Sequence, residues 1–547
     1  MCNRSLFVFI LFLCLPLSAR QRSNAEMLQL AQKTLCQTAT RSDISELKLL
    51  DESESYAVFG DARSFAIISK DNRSKPVWGY SFTPYNKISK PCGFQWWLSA
   101  IENAISSVSV TNIWEEIQPV VVEPLLTTTW GQNDPYNNLC PFFSGRKGVT
   151  GCAATALSQV LNYYRYPAIS NGRGYYTLGV NASPMYVNIN SEYKWDLLKN
   201  SYASAWFLSE EEKEAIGQLM YDAGVACHMN YASDGSASTI YEAANALSRV
   251  FQYDSLAIKC VGRSYCKDDA EWMSIITEEL KNGHPLLMGA QSPNGGHAFV
   301  IDGMDAEGKI HINWGWDGNH DGYFEFSNLN PSSHHFDYHQ FIITGLRLDP
   351  TPTADEEYRS CWVLSAEDDL KPDMLNGLTL LVDNGNGLLM QNSHLVFYGK
   401  VGLLFLDEDG DEIYFKTFID TSDRANFFSP VEGGLMYYVS YFNKITVSDL
   451  ANIPAGKYRV YLASKAVQDT KPQVICYPGG EHHEYWLTKA EDSSLTVTPA
   501  ETTSIHSFQA KRQSDTTPYN LQGYKLGSST YHARKGIYII DGKKVVK

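Results

Sequence analysis

GVTGCAATALSQVLNYY, residues 148–164, is the stretch around which the chain is organised. Apolar residues recur at helical spacing after Cys152 and predict a buried helix, whose stripe is Ala156, Leu157, Val160, Leu161 and Tyr164. The helix should end at Tyr166-Pro167, because a proline disfavours helical geometry in the residue before it. Cys152 would then stand at the helix N-terminus, where unpaired N–H groups and the helix dipole favour a thiolate. A cysteine beside alanine and glycine is more often a small buried apolar residue, so Cys152 needs partners elsewhere in the chain.

Length, charge and cysteine count limit the classes of protein to consider. A chain of 547 residues exceeds one ordinary core and predicts three or four domains. Its net charge of -16 argues against nucleic acid or an anionic membrane as a partner. Of the 11 cysteines, Cys2 and Cys14 lie in the N-terminal leader, and the odd remainder indicates at least one free thiol. Cys260 and Cys266 are close enough in sequence to form a small disulfide loop.

The N-terminal part of the chain predicts a leader followed by a small folded unit. Residues 1–19 combine a basic residue, an apolar run and the small pair Ser18-Ala19, which is typical of a cleaved secretory signal peptide. No other run is long and apolar enough to cross a membrane. Residues 20–121 alternate short strand-like runs with turns before a helical segment. They predict an α+β unit that is either a pro-segment or an ordinary N-terminal domain.

The remainder predicts an α+β domain, a β-sandwich and a tail. Residues 122–349 contain a helix at 209–230, which Ser209 and Glu212 start with a capping box, and a helix at 268–281. Strand-like runs follow these helices, as in an α+β domain with an antiparallel sheet. Residues 350–515 hold short, turn-bounded strands typical of a β-sandwich. Residues 516–547 form a tail that ends in two strand-like runs around an Asp-Gly turn.

A second passage, residues 295–322, supplies partners for the cysteine. Its sequence is GGHAFVIDGMDAEGKIHINWGWDGNHDG, and a hairpin loop at residues 303–307 would place His297 opposite Asn313. An amide beside an imidazole fixes the tautomer and ring orientation of a general base. His297 lies 145 residues beyond Cys152, within the ~130–150 residues expected in papain-type enzymes. The passage therefore predicts a nucleophile, a base and an orienting residue.

Acyl transfer also needs donors aimed at the developing oxyanion. The backbone N–H of Cys152 is one candidate, and Gln132 in the WGQNDPYN loop is the other, although a loop glutamine is more often simply solvated. Trp314 and Trp316 are candidates to shield the His297–Asn313 bond and line the substrate groove, although strand tryptophans are more often core. Gly296 is the third candidate for substrate binding.

Four motifs in this order resemble the streptopain (interpain-like) family of secreted bacterial cysteine peptidases. They are TTWGQNDPYNNLCP, TGCAATALSQVLNYYRYP, GGHAFVIDG and INWGWDGNHDGYF, within residues 122–348. The resemblance implies a two-lobed papain-like fold, protein or peptide substrates and no cofactor or metal. It implies Cys152 as nucleophile, His297 as general base and acid, Asn313 as orienting residue and Gln132 as oxyanion donor. Trp314 falls on the tryptophan that packs over the catalytic pair, and Ala153 stands where relatives often have a bulkier residue.

The flanking segments resemble the family more weakly. Residues 20–121 are similar to its inhibitory pro-segment, with cleavage expected between Thr111 and Thr128. The final GIYIIDGKKVVK resembles a sorting tail that directs export or surface attachment in certain bacteria.

Other functions stay open at the level of sequence. A secreted adhesin or carbohydrate-binding protein with a vestigial peptidase domain would suit the aromatic-rich sandwich, and acyl transfer to an amine would use the same catalytic residues. Residues 317–322 match half of a calcium loop, but Asn328 stands where a bidentate Glu is required, so a turn is favoured. The acidic run 406–412 predicts a solvated hairpin tip. His334, His335 and His339 lack tetrahedral metal spacing.

Overall fold

A computed structural model describes the central part of the chain in detail and the C-terminal part in pieces. The described residues are 21–38, 46–107, 121–143, 145–179, 182–203, 207–255, 257–292, 295–326, 340–346, 397–420, 450–467, 469–477, 482 and 484–499, with short strands at 362–364, 370–373, 379–382, 388–392, 436–439, 537–540 and 543–546. The predicted signal peptide and the three clustered histidines lie outside these residues.

The helices of the described residues are α1 Asn24–Thr38, α2 Cys92–Ser106, α3 Cys152–Tyr164, α4 Glu210–Ala226, α5 Ile240–Arg249 and α6 Asp269–Lys281. Short 3-10 turns lie at Trp195–Leu197 and Arg263–Tyr265. The strands that precede the C-terminal part are β1 Lys48–Glu52, β2 Tyr56–Gly60, β3 Phe65–Ser69, β4 Val77–Ser81, β5 Phe142–Phe143, β6 Arg146–Lys147, β7 Gly172–Leu178, β8 Met185–Ile189, β9 Asn230–Tyr231, β10 Lys259–Gly262, β11 Leu286–Ser292, β12 Gly295–Met304, β13 Ile310–Asn313, β14 Gly322–Phe324 and β15 Phe341–Thr344.

One ten-stranded antiparallel sheet carries most of this part of the fold. Its order is β1-β2-β3-β4-β14-β13-β12-β11-β15-β10. The first four strands come from residues 48–81 and the other six from residues 259–344, so the predicted pro-segment and the predicted peptidase domain share one sheet. The seam between them is the β4–β14 pair, in which Tyr80 lies opposite Tyr323. The α+β class predicted from the sequence is confirmed, and the two-lobed layout stays a prediction.

Each face of the sheet packs against its own hydrophobic core, because successive side chains of a strand point to opposite faces. Val300 of β12 joins the core that contains Leu157 of α3. The next residue, Ile301, joins the other core, together with Trp97 of α2 and Trp272 of α6. Helix α2 of the predicted pro-segment therefore shares one face of the sheet with α6, while α3 covers the opposite face.

The register of the β12–β13 hairpin differs from the sequence prediction. Asn313 lies opposite Val300 rather than His297, and the hairpin loop begins after Met304 instead of after Asp302. Two features cause the shift. Met304 stays in the strand because it pairs with Val122, and a bulge lies at Asp302, whose carboxylate accepts hydrogen bonds from Leu126 N and the ring of the half-buried His311.

The predicted helices are mostly confirmed, with local corrections. Ser209 caps α4 with both bonds of a capping box, but α4 ends at Ala226 rather than Asn230. Asp268 caps α6, which spans the predicted residues, whereas α5 was not predicted. No helix of the described residues is long and apolar enough to cross a membrane.

The disulfide considered for Cys260 and Cys266 is not formed, because the two thiols are buried in different cores. The Cys266 Sγ lies 3.8 Å from the carbonyl oxygen of Gly262, to which it donates a weak hydrogen bond.

The C-terminal part is built from antiparallel strands, as predicted. These are β16 Trp362–Leu364, β17 Leu370–Asp373, β18 Thr379–Val382, β19 Leu388–Asn392, β20 Gly399–Leu406, β21 Glu412–Asp420, β22 Met436–Val439, β23 Gly456–Ala466, β24 Gln473–Val474, β25 Tyr485–Lys489, β26 Leu495–Pro499, β27 Ile537–Ile540 and β28 Lys543–Val546. One sheet has the order β21-β20-β23-β25-β26, and its β20–β21 hairpin presents the acidic run at an exposed tip. Strands β27 and β28 form the predicted terminal hairpin. The two-sheet sandwich arrangement stays a prediction.

Candidate active site

The backbone before α3 places Cys152 at the first position of the helix. Gly151 is the N-cap residue and has φ +86°, a conformation that L side chains rarely adopt. A Cβ on Gly151 would also lie 2.7 Å from the side chain of Met229. Only glycine fits this turn without strain, and the turn points the first residue of the helix toward β12.

The environment of the Cys152 sulfur favours its ionised form. The backbone N–H of Ala298 in β12 donates to Sγ over 3.4 Å. Burial raises the pKa of the Cys152 thiol, but the charge and hydrogen bonding of His297 and the N–H groups of Ala298 and Ala153 lower it more. The net pKa lies below the ordinary value of a cysteine, so the site favours a thiolate.

His297 lies near the start of β12, one residue before the donor to the sulfur. The side chain is buried, with only 8% of its surface exposed, and its ring packs against Phe299. The Nε2 atom is buried and finds no hydrogen-bond partner among the described residues. One side of the imidazole thus supports Cys152, while its Nε2 side lacks the acceptor that an imidazolium requires.

Asn313 is fully hydrogen-bonded, but not to His297. Its Nδ2 donates to the carbonyl oxygen of Thr128 over 2.7 Å and to Gln159 Oε1 over 3.1 Å. Its Oδ1 accepts from Gly315 N and from Gln159 Nε2, each over 3.0 Å. Directly paired residues of antiparallel strands point to the same face, so Asn313 shares the face of Val300, toward α3. The structure therefore brings Asn313 near the candidate site without its predicted bond to the imidazole.

The loop that carries Gln132 is tied to both sides of the site. The carbonyl oxygen of Gln132 accepts from Thr150 N over 3.1 Å, two residues before the cysteine. On the other side, Asp317 N donates to the carbonyl oxygen of Trp130 over 3.2 Å. The Gln132 side chain is half-buried. These contacts place the predicted oxyanion donor beside the start of α3.

The three predicted substrate-binding residues occupy different environments. Trp314 is fully buried and packs against Phe299 with ring centroids 4.8 Å apart. Trp316 is half-buried, and its buried Nε1 has no partner among the described residues. Gly296 is exposed at the start of β12. In this conformation Trp314 is a core residue, and a substrate would reach only the other two.

Proteins of known function resemble this chain in sequence. A profile described as the peptidase C10 family matches residues 130–324. Streptopain from Streptococcus pyogenes serotype M28 is 30% identical over 310 residues, which cover 52% of this chain and 76% of that protein. The chain belongs to the peptidase C10 family.

Two further relatives support this assignment. The thiol protease/hemagglutinin PrtT of Porphyromonas gingivalis is 28% identical over 359 residues, covering 59% of this chain and 41% of PrtT. A solved fragment of prointerpain A from Prevotella intermedia is 33% identical and superposes with a TM-score of 0.50, covering 55% of this chain and 98% of the fragment. This C10 chain is therefore a cysteine peptidase, with protein or peptide substrates.

The N-terminus of α2 lies against the candidate site of this C10 peptidase. A Cβ on Gly93 would lie 2.5 Å from His297 Cδ2 and 2.8 Å from the Trp314 ring, so the helix backbone touches both side chains. Burial, followed by the nearby charge of Cys152, raises the pKa of the Cys92 thiol. Helix α2 thus covers the Nε2 side of the imidazole.

Sequence reasoning missed two of these residues, Gly93 and Gln159. A single glycine in a predicted pro-segment carries no local signal for a contact with a residue two hundred positions later. Gln159 lies seven residues beyond Cys152, two turns along the predicted helix on the same side, and that spacing was the available signal. Among the described residues, no group of three or more His, Cys, Asp or Glu side chains has the arrangement of a metal site.

Proposed function

We propose that this chain is a secreted cysteine endopeptidase made as a zymogen, with Cys152 as nucleophile and His297 as general base and acid. The observation that carries the proposal is the environment of the Cys152 thiol at the start of α3. This thiol pairs with His297 of β12 and accepts the Ala298 N–H, and its pKa is lowered. A thiolate in that position can attack a carbonyl without a separate deprotonation step.

The proposed reaction gives each of these groups a role. The Cys152 thiolate attacks the peptide carbonyl carbon, and the resulting oxyanion takes hydrogen bonds from the Cys152 N–H and the Gln132 side chain. His297 gives its proton to the leaving amine, which departs as the C–N bond breaks and leaves a thioester. Water then attacks the thioester while His297 accepts its proton, and the thiolate is released. Asn313 Oδ1 would accept the Nε2–H of the imidazolium and orient the ring.

The predicted pro-segment, residues 20–121, is well placed to inhibit this reaction. The β4–β14 seam extends the peptidase sheet, and Lys75 reaches across it to the buried carboxylate of Glu325 over 2.7 Å. Helix α2 has Gly93 in contact with both the His297 and the Trp314 side chains. We assign the segment the role of an intramolecular inhibitor that is removed by cleavage between Thr111 and Thr128.

Export and the C-terminal part complete the proposal. The composition of residues 1–19 supports secretion, and the resemblance of the terminal hairpin to a sorting tail supports surface attachment. The proposed boundaries are 122–349 for a papain-like peptidase domain, 350–515 for a β-sandwich and 516–547 for the tail.

Intact mass against time tests the proposal directly. Residues 22–547 are purified under reducing conditions beside the Cys152→Ala variant. The expected result is loss of about a hundred N-terminal residues in the wild-type protein alone, with peptide hydrolysis appearing in parallel. Equal cleavage of both proteins, or hydrolysis retained by Cys152→Ala, would contradict the assignment of the nucleophile. If both proteins stay whole, a trace of chymotrypsin, which can cut after Trp114, supplies the cleavage and is then blocked by a serine-protease inhibitor. Hydrolysis must then depend on Cys152.

A further inference from the structure

Gln159 is a buried amide on the side of helix α3 that also carries Cys152 and Thr155. It lies on α3 seven residues after Cys152, about two helical turns away, so both residues point to the same side of the helix. The side chain of Gln159 is completely buried. A buried carboxamide is costly unless its polar atoms are paired, so its partners show what the helix presents to the site.

The partners of Gln159 come from two elements of the candidate site. Its Nε2 donates to Asn313 Oδ1 over 3.0 Å, and its Oε1 accepts from Asn313 Nδ2 over 3.1 Å. The same Oε1 accepts from Thr128 Oγ1 over 2.9 Å and from Trp130 N over 3.3 Å. Gln159 therefore forms a two-way pair with Asn313 and ties it to the segment that leads to Gln132.

We propose that Gln159 is a positioning residue for the reaction, which holds the Asn313 amide so that its oxygen is the atom offered to His297. The inference rests on the proposed function, because it matters only if His297 acts as the base. Both Nδ2 hydrogens of Asn313 are committed, one to the Thr128 carbonyl oxygen and one to Gln159. The amide can therefore not turn a donor toward the imidazolium.

The unpaired Nε2 atom of His297 explains why the Gln159–Asn313 pair would matter during maturation. The Nε2 of the imidazole is buried and has no partner among the described residues, while Gly93 of α2 lies against the adjacent Cδ2. Once α2 leaves, the Nε2–H needs an acceptor. Asn313 Oδ1 is oriented by the Thr128, Gly315 and Gln159 contacts. Because it already accepts from Gly315 N and Gln159 Nε2, the Nε2–H has to share one of these two acceptor positions. Loss of Gln159 leaves only backbone contacts to hold the amide, so the acceptor position becomes less defined.

The Gln159→Glu variant tests whether Gln159 positions the Asn313 amide or only supports the fold. A protonated glutamic acid has the shape of glutamine and donates one O–H to Asn313 Oδ1. An ionised carboxylate only accepts hydrogen bonds, so it places an oxygen against Oδ1 and repels it. Gln159→Glu should therefore work at low pH and lose activity as pH rises through the pKa of the new carboxyl group.

The experiment measures kcat for Gln159→Glu, Gln159→Met and wild type between pH 4.5 and 8. All chains are activated with chymotrypsin, which can cut after Trp114 in the proposed cleavage region and is then blocked by a serine-protease inhibitor. Active sites are counted with an irreversible thiol-directed epoxide. Asn162→Asp, a half-buried amide on the same helix, is the control for added charge. We expect the kcat ratio of Gln159→Glu to wild type to fall up to tenfold per pH unit. For Gln159→Met we expect a pH-independent loss of about 10–100-fold, and for Asn162→Asp a ratio near one.

Three outcomes would overturn the proposal. One is a pH-independent ratio for Gln159→Glu, and another is a wild-type kcat per titrated site for Gln159→Met. A third is a pH-dependent loss in Asn162→Asp equal to that in Gln159→Glu, which would assign the effect to charge on α3. Failure of the proposed function itself is visible separately, since Cys152→Ala would then hydrolyse the peptide as fast as wild type.

Discussion

The thiol of Cys152 has to be sheltered and ionised at once, and these requirements oppose each other because burial raises the pKa of a thiol. The structure meets both by surrounding the sulfur with positive partners. His297 supplies charge and a hydrogen bond, and the N–H groups of Ala298 and Ala153 point at the sulfur. The lowered pKa is therefore a property of two elements, since α3 contributes the Ala153 N–H and β12 contributes the Ala298 N–H and the His297 imidazole.

The first prediction concerns the ionisation of Cys152. In the activated enzyme, alkylation by iodoacetamide should stay fast at pH values below the ordinary pKa of a thiol, because the thiolate is the reactive form. His297→Ala removes the largest source of stabilisation for the anion, so the midpoint of the alkylation profile should move to higher pH. The measurement is the pH dependence of the alkylation rate. An unchanged midpoint in His297→Ala would show that the imidazole does not stabilise the thiolate.

The second prediction concerns the oxyanion. Gln132→Ala should lower kcat by about 10²–10³-fold, the loss expected for one donor that acts mainly in the transition state, with a small change in KM. Asn133→Ala changes the exposed neighbour in the same loop and should leave kcat near wild type. The measurement is kcat and KM of both activated variants by steady-state kinetics. Equal kcat values for Gln132→Ala and wild type would move the oxyanion donor elsewhere.

At the scale of elements, helix α2 is the part that contacts the candidate site most closely. Phe94 follows Gly93 and packs edge-to-face against Trp314 with ring centroids 6.0 Å apart. Trp97, one turn later, is fully buried, and its Nε1 donates to the carbonyl oxygen of Glu325 over 3.0 Å. The aromatic side chains anchor the helix, and the glycine allows its backbone to approach the imidazole.

The third prediction tests that approach. Gly93→Ala adds a Cβ that would lie 2.5 Å from His297 Cδ2, and such overpacking typically costs about 1–3 kcal/mol. The docked helix should therefore be less stable, and chymotrypsin, which can cut after Trp114, should release the pro-segment faster than in the parent chain. Both chains carry Cys152→Ala, so neither processes itself. Ser99→Ala, at an exposed position of the same helix, is the control. Equal release rates for Gly93→Ala and Ser99→Ala would contradict a tight contact.

The sequence predicted elements better than it predicted contacts between them. The capping residues of α4 and α6 and the proline after α3 are local signals, and the structure confirms each of these boundaries within a few residues. The β12–β13 register failed because it depends on Val122, which is far away in sequence and keeps Met304 in its strand. The partnership of Gln159 with Asn313 was invisible for the same reason, since residues 154 positions apart carry no shared local pattern.

At the scale of the whole molecule, the proposed maturation would have to break a continuous sheet. The β4–β14 pair and the ion pair between Lys75 and the buried Glu325 join residues on either side of the proposed cleavage site. Cleavage alone does not separate these contacts, so release of the pro-segment is a distinct step with its own free energy. Any group that titrates at the seam makes that step depend on pH.

His320 is such a group. Its ring is completely buried among Phe65, Tyr85 and Phe94 of residues 20–121, with centroid distances of 4.8–5.7 Å. Nε2 accepts the Asn86 N–H over 3.2 Å, and Nδ1 has no partner among the described residues. Burial, with a smaller effect of the Lys90 charge, lowers the pKa of His320 to about 4.

The fourth prediction follows from the sign of that shift. Release of the pro-segment exposes the ring and returns its pKa toward the ordinary value of about 6.5. The docked form therefore binds fewer protons between pH 6.5 and 4, so docking is fully stabilised above pH 6.5 and weakens as pH falls, by up to about tenfold per unit. Asp321, whose pKa burial raises to about 7, also titrates nearby, and a comparison of variants is needed to isolate the imidazole.

The comparison uses two chains that cannot process themselves, Cys152→Ala with and without His320→Gln. A trace of processed wild-type enzyme cleaves both in one mixture, and the rates compared are those at which the cleaved pro-segment separates from each chain. The pH dependence of the protease then cancels in the ratio of the two rates. The glutamine oxygen can still accept the Asn86 N–H but does not titrate. The ratio of the rate for the His320 chain to that for His320→Gln should rise as pH falls below 6.5. A ratio that stays constant from pH 7 to pH 4.5 would mean that protonation of His320 does not govern release of the pro-segment.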